Sequence, residues 1–155
     1  MKRPSNPFAG MDHWILDDQH RAVPATVMEW AEWKQNARKK GAAEGTDADP
    51  SRVGSTNTAT MWVSTVFLGI NCNWSDKGPP ICFETMVFSR EKFPREFEGK
   101  IRWSRDDFEQ LRYSSWDDAE AGHKAMVRRI EKLEADALAG VGKARAARKE
   151  ENGRS

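Results

Sequence analysis

Two apolar stretches, residues 61–70 and 81–88, are β-branched, aromatic and nearly uninterrupted, and they predict central strands. Residues 71–80 between them are rich in Asn, Asp, Gly and Pro, the composition of a turn. A link of about ten residues is too short for a helical crossover, so the strands should form an antiparallel hairpin. Helical periodicity lies on either side. Val23-Pro24 puts proline in the first turn of a predicted helix over about 24–40, with Val27, Met28, Trp30, Ala31 and Ala37 on one broad face. Arg38, Lys39 and Lys40 suit the negative end of its dipole, and Gly41 is placed to stop it. A second helix is predicted over about 116–138. Its Ala119, His123, Met126, Ile130, Leu133 and Ala137 recur in steps of four and three, Ser115 and Asp118 form its start, and Gly140 or Gly142 its end.

The remaining segments are weaker in pattern. His13 to Leu16 reads as a short strand ending in a polar turn, and Glu109 to Tyr113 as another. Residues 41–59 are small and polar, which predicts a loop. Residues 89–108 scatter Phe93, Phe97, Ile101, Trp103 and Phe108 among charges, which reads as an irregular excursion capping one end of the core. The expected fold class is therefore α+β: an antiparallel sheet built on the central hairpin, both helices packed on one face, the other face partly open. Residues 11–140 form the single domain in this reading, residues 1–10 a flexible leader with Met11 as an alternative start, and residues 141–155 a basic flexible tail.

Composition narrows the function classes. The 155 residues carry 25 Lys and Arg against 24 Asp and Glu, a net charge of +1, which argues against a generally basic nucleic-acid binder. No apolar run approaches the ~18–20 residues of a membrane span. Pro4, Asn6 and Pro7 stand where a secretory signal would be apolar, so the expected compartment is the cytoplasm. Cys72 and Cys82 are then expected as reduced thiols, the alternative being one disulfide across the loop.

Several segments also resemble one another's counterparts in a known group. Trp14-Ile15-Leu16-Asp17 with Val23-Pro24 and Trp30-Ala31-Glu32-Trp33 comes first, followed by Val63-Ser64-Thr65-Val66-Phe67-Leu68-Gly69. Gly78-Pro79-Pro80 with Phe83-Glu84-Thr85-Met86-Val87-Phe88 follows, and then Arg112-Tyr113-Ser114-Ser115-Trp116 with Ala119-Glu120-Ala121-Gly122-His123. Over roughly 11–130 the pattern resembles a small family of uncharacterised proteins encoded by tailed phages and prophages. This chain departs from it in the leader, the longer 41–59 loop, the stretch around 90–108, and Asn71-Cys72-Asn73 in place of an Asp-His pair. The resemblance implies a setting, the bacterial host cytoplasm, and no mechanism.

Candidate chemistry is sparse. There is no nucleophile elbow, P-loop, dinucleotide fingerprint or HExxH motif. His13, Asp17, Asp18 and His20 read as a solvated turn, so no metal and no cofactor are expected. A ligand-binding set would be Glu84, Arg112, Tyr113 and His123, in a pocket between the sheet and the second helix. There His123 either pairs with a carboxylate as a general base or is a structural histidine. Glu84 interrupts an apolar strand, and either faces solvent or is paired inside with Arg112 or His123. A partner-binding set would be Trp74, Lys77, Arg102 and Trp103, because seven tryptophans exceed what the core elements absorb. Basic and aromatic residues interleave at 92–105, but neighbouring acids cancel most of the field, leaving at most weak, salt-sensitive affinity for nucleic acid. The leading expectation is a non-enzymatic, phage-type accessory protein that binds a host protein. A small-ligand or nucleotide-binding module is the alternative, and a small hydrolase using His123 and Glu84 comes last.

Overall fold

A computed structural model describes residues 12–153 except Asp76; the side chain of Trp103 is outside the described set as well. The predicted leader over 1–10 therefore lies outside the described residues. In chain order the elements are β1 (His13–Leu16), β2 (Ala22–Ala25), α1 (Val27–Glu44), β3 (Arg52–Asn57), β4 (Met61–Phe67), β5 (Phe83–Ser89), β6 (Phe93–Phe97), β7 (Lys100–Ser104), β8 (Asp107–Tyr113) and α2 (Trp116–Asn152).

The predicted hairpin is the centre of the molecule. β4 and β5 pair antiparallel with Thr65 opposite Thr85, and β3 and β8 flank them in the order β3-β4-β5-β8. Side chains alternate across a strand. Val63, Thr65 and Phe67 on β4 and Phe83, Thr85 and Val87 on β5 are all fully buried, and this is the face on which α2 lies. Ala119, His123, Met126 and Ile130 are the buried residues of α2, as their spacing predicted. The α+β class holds.

The two helices share that apolar layer unequally. α1 packs on the β1–β2 hairpin and enters the layer through Trp33, whose ring meets Phe67 edge-on at 5.5 Å. Its inner stripe is Trp30, Trp33, Lys34, Ala37 and Gly41, while Val27 and Met28, expected on the packed face, are exposed. Trp30 Nε1 donates to the carbonyl of Leu68 at 3.1 Å and Lys34 Nζ to that of Phe67 at 2.9 Å, which ties α1 to the end of β4.

Four boundaries differ from the sequence expectation. Val23-Pro24 lies in β2 rather than opening α1; proline suits a two-stranded edge as well as a first turn. The helix starts instead at Thr26, whose hydroxyl caps Glu29 N–H while the Glu29 carboxylate accepts from Thr26 N–H, a reciprocal capping box. Gly41 does not stop α1: it is buried with a Cβ site 3.0 Å from Asp49, and the helix ends at Gly45 with φ 108°. The 41–59 loop contains β3, a polar edge strand with a bulge between Arg52 and Gly54.

The excursion over 89–108 is a regular hairpin. β6 and β7 pair only with each other around Glu98-Gly99, whose φ values of 50° and 72° are those of a tight mirror-image turn. The expected tail is also ordered: α2 runs through Gly140 and Gly142 to Asn152. Each glycine costs a helix about 1 kcal/mol relative to alanine, and here the Ala-rich flanks carry the helix across.

Candidate functional site

The most exposed large side chain among the described apolar residues is Trp74, 91% accessible, at the tip of the connection from β4 to β5. The chain around it is held at each level. At the base, Leu68 N–H donates to Cys82 O at 2.7 Å and Cys72 N–H to Ile81 O at 2.8 Å. Trp14 N–H donates to Gly69 O at 2.8 Å, which joins β1 to the same base. Gly69 has φ 71°, and a Cβ there would lie 2.5 Å from Trp30 Nε1, so only glycine fits.

Two asparagines then shape the tip. Asn71 Oδ1 accepts from Asn73 N–H at 2.9 Å and from Ile81 N–H at 3.0 Å. Asn73 Nδ2 donates to the carbonyls of Lys77 (3.0 Å) and Pro79 (2.9 Å), and its Oδ1 accepts from Ser75 N–H at 3.0 Å. Side chains that bond nearby backbone in this way replace a sheet ladder as the source of order. Trp74 and exposed Lys77 thus project from a loop that is already shaped. The roles of Asn71 and Asn73 went unassigned in the sequence reading, although Asn-x-Asn within a turn is the sign of such bonding.

The remaining partner candidates lie elsewhere. Arg102 is on β7 and its guanidinium sits 5.8 Å from the centre of the Phe97 ring. Alternation places Phe93, Arg95, Phe97, Lys100 and Arg102 on one face of the β6–β7 ribbon and Pro94, Glu96 and Ile101 on the other. The ribbon therefore sorts by face the charges that cancel in sequence, although Arg95 is paired with Asp106. The side chain of Trp103 is outside the described residues.

The four residues proposed as a ligand set are divided by the sheet. Glu84 and Arg112 stand on the face away from α2, where Arg112 Nε donates to Glu84 Oε1 at 3.1 Å and Gln110 Nε2 donates to the same oxygen. Glu84, 9% accessible, is thus paired with Arg112 on the outer face, which combines the two alternatives offered for it. Tyr113 and His123 stand on the helix face, with the Tyr113 ring against the backbone of Gly122. The space expected to be a pocket between sheet and α2 is filled by Val63, Thr65, Phe67, Phe83, Thr85 and Val87. The carboxylate–imidazole pair that a hydrolase would need is not formed.

His123 is instead the centre of a threonine relay. Nε2 lies 2.9 Å from Thr56 Oγ1, Nδ1 lies 2.8 Å from Thr65 Oγ1, and Thr65 Oγ1 lies 2.6 Å from Thr85 Oγ1. Thr85 is fully buried, so its hydroxyl proton needs an acceptor inside the protein. Running the protons from Thr85 to Thr65 to Nδ1, and from Nε2–H to Thr56, satisfies every buried donor; half-buried Thr56 ends the chain toward solvent. The ring is neutral in this arrangement. Burial first, and Lys124 second, hold its pKa below the ordinary imidazole value. Gly54 makes room for the ring: a Cβ there would lie 2.8 Å from it.

Cys72 and Cys82 are both free thiols, and burial, with Cys72 nearby, pushes Cys82 up to about 12. Among the described residues, no three His, Cys, Asp or Glu side chains are grouped to hold a metal ion. No described helix is long and apolar enough to cross a membrane. A cleft of about 320 Å3 lies beside the start of α2, where His20 stacks on Trp116 with ring centres 3.9 Å apart. No family model matches this chain, and no curated protein or solved structure matches it.

Proposed function

We propose that the protein is a non-enzymatic accessory factor that acts by binding another protein through the 68–82 loop, with Trp74 as the anchor. The observation that carries this reading is a tryptophan left 91% accessible on a loop braced by Asn71 and Asn73. An exposed indole is costly in water, and Trp is among the residues that dominate binding energy when seated in a partner pocket. A braced loop avoids the ordering entropy that a floppy one loses on binding. Lys77, in the same loop, favours a partner whose pocket has an acidic rim. The phage-like strand motifs supply the setting of the proposal: a host protein in the bacterial cytoplasm, bound so as to block or redirect it.

The experiment compares the protein with Trp74→Ala. Proteins retained from bacterial extract by the immobilised chain are identified, the leading one is purified, and its Kd is measured for both forms. Loss of Trp74 should weaken binding roughly 30-fold, the equivalent of about 2 kcal/mol at a hot spot. The thermal melt of the free protein should be unchanged, since the indole is exposed. Equal affinity of the two forms would reject the loop as the binding surface.

A further inference from the structure

The apolar seam of α2 continues past the end of the sheet. Its last buried residue is Ile130, yet the same four-three spacing runs on through Leu133, Ala137, Gly140, Ala144 and Ala147. At 1.5 Å per residue, the part of the helix beyond Ile130 is roughly 33 Å long. Where it leaves the sheet, Met61 at the β3–β4 turn and Ile130, Leu133, Leu138 and Val141 of α2 line an open apolar groove of about 420 Å3. Leu133, Leu138 and Val141 are 53%, 72% and 51% accessible. A helix without tertiary support is marginal in water, so this face is an unmet packing demand.

Charge along the segment states what would meet it. Glu131, Glu134 and Asp136 precede the uncharged stretch 137–142, and Lys143, Arg145, Arg148 and Lys149 follow it. Two copies side by side and parallel would set acid against acid and base against base at each level. Two copies antiparallel about a point beside Gly140 reverse every one of those meetings. Glu131 then faces Arg148 of the second copy, Glu134 faces Arg145, Asp136 faces Lys143, and Leu138 faces Val141, each pairing repeated by the two-fold axis. At about 100° per residue, Glu131, Glu134 and Arg145 lie on one flank of the seam and Asp136 and Lys143 on the other. An antiparallel pair brings like flanks together, so these partners meet without crossing the seam.

The geometry at the centre is permissive. A Cβ at Gly140 would have nothing within 4 Å, and Ala137 and Ala144 flank it in the seam, so two backbones can approach closely. The existing contacts of the acids are exposed ones, Lys132 to Asp136 at 3.2 Å and Thr60 N–H to Glu134 at 2.8 Å, and they orient the carboxylates without neutralising the segment. We propose that this half of α2 is a self-association surface, on which a second copy of the chain packs antiparallel through residues 131–149. The surface is separate from the 68–82 loop and stands whether or not that loop binds a partner.

Sedimentation of the full chain from low to high micromolar concentration tests it. The expected result is a concentration-dependent doubling of mass that weakens as salt is raised. Glu134→Lys with Asp136→Lys should raise the dimer Kd at least tenfold, and so should Lys143→Glu with Arg145→Glu. All four changes in one chain exchange the charges and should restore association. Circular dichroism reports that each variant keeps its fold. A chain that stays monomeric throughout overturns the proposal. So does a dimer indifferent to the double changes, or double variants that the fourfold exchange fails to rescue.

Discussion

A neutral imidazole has one donor and one acceptor, and threonines from β3 and β4 occupy both nitrogens of His123. Protonation would make Nδ1 a donor to Thr65, turn the Thr65 hydroxyl toward Thr85, and leave the buried Thr85 proton without an acceptor. Desolvation acts in the same direction. Because the folded pKa lies below the unfolded value, the contribution is complete above about pH 6.5 and is lost as pH falls through the folded pKa. Urea unfolding should therefore show stability declining below about pH 6.5, with this group contributing at most about 1.4 kcal/mol per pH unit. His123→Gln should be less stable at neutral pH and should lack that part of the decline. An identical acid slope in the variant would remove His123 as its source. The sequence placed His123 on the packed stripe through its spacing alone. It did not show the threonines, because Thr56 and Thr65 meet it only through strand pairing across the sheet.

At the scale of elements, the chain divides between those that pack and one that stands apart. β6 and β7 bond only to each other, and β6 is exposed along its whole length. The ribbon is joined to the body through its ends: Arg105 donates to the carbonyls of Ser89 (2.9 Å) and Arg90, and Asp106 N–H donates to Ser89 Oγ at 3.0 Å. Replacing residues 92–103 with a short Gly-Ser turn should change the unfolding free energy by less than about 1 kcal/mol, since only exposed pairs such as Arg95–Asp106 are lost. A larger loss in a denaturant titration would mean that the ribbon supports the sheet. The strong elements were readable because pattern and packing agree in them: β4, β5 and the first half of α2 bury what their periodicity says they should. β3 was not readable, since Arg52–Asn57 has one large apolar residue, Val53, and becomes a strand only because β4 offers its free edge. Thr26 and Glu29 did carry the sign of the start of α1, but Pro24 carried a competing one.

For the whole molecule, support is concentrated around the hairpin and falls away along α2. Hydrogen exchange should find the amides of β4, β5 and residues 119–130 slowest and independent of protein concentration, because they open only with the global transition. Residues 138–150 should exchange fast in dilute protein and slow progressively as concentration rises, if a second copy covers them. Protection there that ignores concentration would require support from within one chain. The two proposed surfaces lie in different parts of the chain, Trp74 on the β4–β5 connection and Leu138 on the projecting half of α2. One chain can therefore engage a partner and a second copy through separate residues.

The order of apolar and polar residues determined the α+β class, the central antiparallel hairpin and the stripe of α2, because burial demands of that strength have one compact solution. It also marked Trp74 as a surplus aromatic in a turn. Which side of the sheet receives Glu84 and which receives His123 was decided only in three dimensions. A one-residue change of register moves a strand side chain to the opposite face, and register is a property of two strands together. The same holds for the tail: its residues are polar enough to suit an unstructured end, and they are helical because the docked half of α2 has already nucleated the helix they extend.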